Sequence, residues 1–143
     1  EEIIVGRAEK VYGFDLKGPR NPEGAFTSMT VFYYGPDHFR FHAPEDFIEA
    51  NRDTSLSLPG EKDGPLTPIT VAGMSGQEFV RNVFLLIPPH AVEPKKIRMQ
   101  ERLIILPAAK GGFYTMEYSA PEDAYETYKA VFEQVLNSFK PNA

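Results

Sequence analysis

Ile97-Arg98-Met99-Gln100-Glu101-Arg102-Leu103-Ile104-Ile105-Leu106, with the turn Ala109-Lys110-Gly111-Gly112 and the run Phe113-Tyr114-Thr115-Met116-Glu117-Tyr118 behind it, decides the fold. Ile97, Met99, Leu103 and Ile105 share one parity. Arg98, Gln100 and Arg102 hold the other until Ile104 and Leu106 turn that face apolar too. A period of two is the mark of a strand, because successive side chains point to opposite faces. Tyr114, Met116 and Tyr118 again share a parity, and the glycine-rich turn between the two runs makes them an antiparallel hairpin.

Upstream, Ile69 to Ala72 and Glu78 to Ile87 predict two more strands joined through Gly73-Met74-Ser75-Gly76, with Pro88 and Pro89 stopping the second. Val83-Phe84-Leu85-Leu86-Ile87 is apolar on both parities, the pattern of a strand covered on both faces. Asn51 to Pro68, rich in Pro and Gly, reads as an irregular surface connection. Val11 to Leu16 and Phe26 to Tyr34 predict a further strand pair around the turn residues Asn21-Pro22-Glu23-Gly24. Pro44, Glu45 and Asp46 ahead of Phe47 and Ile48 predict a short helix. Downstream, Ser119 to Glu122 fits an S-x-x-E capping box, and Tyr125, Tyr128, Phe132, Val135, Leu136 and Phe139 recur at helical spacing before Pro141. The order is strand, strand, helix, three or four strands, helix. Two helices available to cover one face each predict an α+β fold, a three-layer α/β/α sandwich around a central antiparallel sheet of five to six strands.

The chain is 143 residues long, the size of one domain, and residues 1–143 are read as a single one. Its 15 Lys and Arg against 20 Asp and Glu leave a net charge of −5. That balance weighs against nucleic acid as a partner, since non-specific affinity for phosphates is electrostatic. The absence of cysteine excludes disulfides, thiolate nucleophiles and Cys-type zinc sites. No apolar run approaches the roughly 18 residues of a membrane span. Glu1-Glu2-Ile3-Ile4 has neither the basic start nor the apolar middle of a signal peptide.

The element order and the C-terminal half resemble the Mog1/PsbP-like superfamily. The residues that carry the resemblance are Thr67-Pro68-Ile69-Thr70-Val71-Ala72-Gly73, Ile104-Ile105-Leu106-Pro107, Phe113 through Pro121, and Phe132 through Phe139. The resemblance implies a β-hairpin, a helix, three antiparallel strands and a final helix. It also implies a non-enzymatic role. PsbP-like proteins are accessory subunits of photosystem II, Mog1 is a partner of a small nuclear GTPase, and bacterial relatives are often secreted or lipid-anchored. These families share no catalytic motif, so no residue inherits a function.

Candidate chemistry is sparse. His38, Arg40 and His42 alternate with Phe39 and Phe41. As a strand this separates the two imidazoles by roughly 13 Å, too far to share one zinc at about 2.0–2.1 Å; a sharp bend at Gly35-Pro36 would reopen that possibility. His90 with Glu93 is a His/carboxylate pair in a loop, read as surface. Gly73-Met74-Ser75-Gly76 narrowly misses the G-x-S-x-G nucleophile elbow, because the fifth position is Gln77, and reads as a hairpin turn. The aromatic stripe of the last helix reads as core packing. Between residues 95 and 110, five cations face one anion, Glu101, in an otherwise acidic chain. Lys95, Lys96 and Arg98 are therefore the candidate contacts for a protein partner or an anionic surface, the competing reading being lysines that guard a strand edge. The expectation is a non-enzymatic binding or accessory domain of an exported bacterial protein, periplasmic or lipid-anchored, with no cofactor. The alternatives are an intracellular regulatory module like Mog1 and a small hydrolase.

Overall fold

The computed structural model describes residues 2–3, 11–55, 57–88 and 91–141. Its strands are β1 (Glu2–Ile3), β2 (Val11–Arg20), β3 (Phe26–Tyr34), β4 (Lys62–Asp63), β5 (Thr67–Val71), β6 (Met74–Ile87), β7 (Lys95–Pro107) and β8 (Phe113–Pro121). Two helices interrupt them, α1 (Pro44–Asn51) and α2 (Tyr125–Ser138). All eight strands join one antiparallel sheet in the order β1-β2-β3-β8-β7-β6-β4, with β5 also paired to β6. The hairpin that opened the sequence analysis is its centre: Leu103 lies opposite Glu117 and Ile105 opposite Thr115.

The parity of β7 explains where the cores lie. Ile104 and Leu106 face the side on which Met116, Tyr118, Phe132 and Leu136 form one buried cluster. Leu103 and Ile105 face the other side, where they pack with Phe47, Phe79 and Phe113. A third cluster, Ala25, Ile97 and Met99, sits under the β2–β3 turn. Above it an exposed ion pair joins the turn to β7: Lys95 Nζ lies 2.6 Å from the Glu23 carboxylate.

The predicted three-layer α/β/α sandwich is not what the chain forms. The molecule is mostly antiparallel sheet, with eight strands rather than five to six. Its helices have 8 and 14 residues, so they are only about 12 and 21 Å long. Neither spans a sheet of seven successive strands, roughly 29 Å wide at the usual strand spacing. Each therefore plugs a patch instead of forming a layer. The expected cover on both faces of Val83 to Ile87 is missing for the same reason, and Leu85 is exposed.

Three local expectations also change. The S-x-x-E box does not cap α2: Ser119 stays in β8, opposite both Glu101 and Ser28. The helix instead starts after Ala124, with no side-chain cap. The run from His38 to His42 is a loop, because the His38 N–H turns back to the Gly35 carbonyl at 3.1 Å. The β5–β6 turn is Ala72-Gly73, so Met74, Ser75 and Gly76 already belong to β6. No helix among the described residues is long and apolar enough to cross a membrane.

Candidate functional site

β7 is an interior strand, yet its first residues overhang the sheet. Lys95 to Arg98 pair with β6, whereas pairing with β8 begins only at Met99 opposite Pro121. The strand-edge reading of these cations therefore applies to the overhang alone. Lys96 lies opposite Leu86, and Arg98 opposite Phe84. Residues directly opposite in an antiparallel pair share a face, so Lys96 and Arg98 flank the Phe84 ring. Lys96 Nζ is 5.7 Å and Arg98 Cζ 5.2 Å from the ring centroid. The far side of the ring rests near Gly60, whose missing Cβ would sit 3.2 Å from it. Glu61 fixes this loop by accepting the N–H groups of Phe84 at 2.8 Å and Leu58 at 2.7 Å. The result is an aromatic platform with two cations on it.

Lys95 points to the opposite face, where it pairs with Glu23. Arg98 also pairs with Glu122, at 3.3 Å. The structure thus separates the three predicted cations onto two faces and offsets two of them. Both pairs are solvent-exposed, so each contributes at most about 1 kcal/mol and can be exchanged for a partner's carboxylate.

A second charged group crosses the α1 side of the sheet. Arg81 Nε donates to Glu101 at 2.7 Å, its Nη1 donates to the Asn51 carbonyl at 2.9 Å, and its Nη2 lies 3.9 Å from Glu117. Arg81 thereby ties the end of α1 to the sheet. Burial, with Glu101 and Asp15 adding repulsion and Arg81 opposing it, raises the Glu117 carboxyl to about 6. On the other face Arg102 donates to Glu78 at 2.8 Å and to Glu133 at 2.7 Å, tying α2 to β6 and β7. Sequence reasoning gave these arginines no site role. Their only signal was a charge placed among apolar residues of the same strands.

The two described histidines, His38 and His42, lie in different surroundings. His38 is buried, and its Nδ1 accepts N–H bonds from Arg40 at 3.2 Å and Phe41 at 3.0 Å. Its ring stacks on Phe41, whereas His42 is exposed. His90 lies outside the described residues. Among the described residues no group of three His, Asp or Glu side chains is placed to hold a metal ion. An open depression of about 960 Å³ runs along α1 between Arg40, Glu49, Asp53 and Gln77.

No family model and no curated protein matches the sequence. Among solved structures the chain is similar to PA94 of Pseudomonas aeruginosa, a protein of unknown function described as a candidate regulator. The TM-score is 0.60 at 9% identity, covering 98% of this chain and 88% of that one. A likeness at that identity is a likeness of fold.

Proposed function

We propose that this chain is a non-catalytic binding module that engages an acidic protein surface through Phe84, Lys96 and Arg98. The observation that carries the reading is the overhang of β7. It holds two cations over an aromatic ring on a stretch of sheet that neither helix covers. Opposite charge speeds encounter and orients docking, and the partly buried Phe84 ring adds apolar contact beside it. The resemblance of Thr67 to Gly73 and of Phe113 through Pro121 to Mog1/PsbP-like accessory proteins supports a kinship in role. An extracytoplasmic setting belongs to the same reading, through the secreted bacterial members.

The test compares wild type with a Lys96→Glu, Arg98→Glu double variant on immobilised poly-glutamate and on phosphatidylglycerol vesicles, across a salt series. Lys95 is left unchanged because it points to the other face of the sheet, where it pairs with Glu23. The proposal expects wild type to bind poly-glutamate, more weakly as salt rises, and the variant to bind at least about tenfold more weakly. Equal binding by both proteins, or variant-sensitive binding to vesicles alone, contradicts it.

A further inference from the structure

The opposite end of the sheet presents a second surface. Among the described residues β1 pairs with β2 only at Val11 and Tyr12. Among the described residues no strand lies beside the outer edge of β2 from Gly13 onward. Phe14 and Leu16 point to the α2 side, opposite Val31 and Met29, and remain 39% and 50% exposed. Asp15 and Lys17 alternate with them on the other face. An open edge is a template for another strand, and this one carries its own complement.

We infer that two copies of this chain associate by antiparallel pairing of β2 with β2 about a two-fold axis through Leu16. Such an axis stands perpendicular to the sheet and keeps each face on its own side, so only registers centred on a residue are allowed. A centre at Asp15 sets Asp15 against Asp15, and a centre at Lys17 sets Lys17 against Lys17; like charges directly opposite are unfavourable. A centre at Phe14 brings Leu16 against Tyr12, where β1 already sits. The Leu16 centre sets Asp15 opposite Lys17 twice, Leu16 opposite Leu16, and Phe14 over Gly18. Every opposed pair in it is of opposite charge, apolar, or a ring covering a glycine.

The surroundings favour the same register. Asp15 makes no ion pair among the described residues and adds to the acidic group of Glu101 and Glu117 that Arg81 alone offsets. A lysine from the second copy brings the missing positive charge. The pairing is short, because the β2–β3 register shifts between Lys17 and Arg20 and Pro19 lacks an N–H. That makes the association reversible and concentration-dependent.

The chain has no cysteine, so single cysteines report the register directly. Cα atoms directly opposite lie about 4.5–5.5 Å apart, inside the disulfide range. Leu16→Cys should form a covalent dimer under mild oxidation, while Asp15→Cys and Lys17→Cys should do so at least about tenfold more slowly. In sedimentation equilibrium, Asp15→Lys and Lys17→Asp should each raise the dimer Kd about tenfold or more, and the double exchange should restore it. Wild type that stays monomeric at millimolar concentration, crosslinking equal at all three positions, or a double exchange that fails to recover association overturns the inference. These residues are remote from Phe84, Lys96 and Arg98, so the outcome is independent of the proposed function.

Discussion

Ala72 has φ 53 and Gly73 φ 78 in the two-residue turn between β5 and β6. Positive φ at both central positions is the requirement of a type I′ hairpin turn, which favours Asn-Gly. An alanine in the left-handed region costs about 1–2 kcal/mol. Ala72→Asn should therefore stabilise the protein by roughly 0.5–1 kcal/mol, read as a higher denaturant midpoint; an unchanged or lower midpoint counts against the turn. Glu117 gives a pH test at the same scale. Its carboxyl is raised from 4.5 to about 6 on folding, so between those values the folded chain binds more protons than the unfolded one. Stability contributed by this group is therefore present below pH 4.5 and is lost as the pH rises through about 6. The side chain keeps 33% of its exposure, and solvent screening holds the effect to about 1 kcal/mol. Glu117→Gln should match wild type near pH 4 and be the more stable of the two above pH 7. A variant that is less stable at pH 8 would show that the attraction of Arg81 outweighs burial.

At the scale of elements, the strands and helices were readable where one periodicity ruled and no distant partner intervened. β3, β7 and α1 appear close to the predicted ends because alternation, Pro44 and the acidic first turn are local signals. Ser119 misled because a strand neighbour on each side, at Glu101 and Ser28, outweighs its fitness as a cap. Phe39 and Phe41 imitate a strand, yet the His38 ring caps the loop's own N–H groups. β1 and β4, two residues each, carry no pattern at all. The platform was legible in its cations and not in its aromatic member, because Phe84 lies 14 residues from Arg98 and only the β6–β7 register joins them. Three predictions belong here. Phe132, fully buried between Tyr118 and the Arg102 guanidinium, should cost about 3–5 kcal/mol as Phe132→Ala. Ser119→Ala should leave the helical circular dichroism signal unchanged, and a loss of helix there would restore the capping role. Arg102→Ala should cost about 1–3 kcal/mol, since it leaves the partly exposed Glu78 and Glu133 carboxylates without their cation; a smaller cost for Arg102→Met than for Arg102→Ala would assign part of the loss to packing on Phe132.

At the scale of the whole molecule, the sheet divides the work. Its middle is spent on holding the fold, with Arg81 clamping α1 on one face and Arg102 clamping α2 on the other. Its two ends are left to contact: the overhang of β7 at one and the edge of β2 at the other. A binding role predicts that a partner is felt at an end and not in the depression along α1. Backbone amide chemical-shift mapping during titration with a short poly-glutamate peptide tests this most directly. The account predicts that shifts concentrate at Phe84, Leu86 and Lys95 to Arg98 and fade as salt is added; shifts clustered instead between Arg40 and Gln77, along α1, would contradict it.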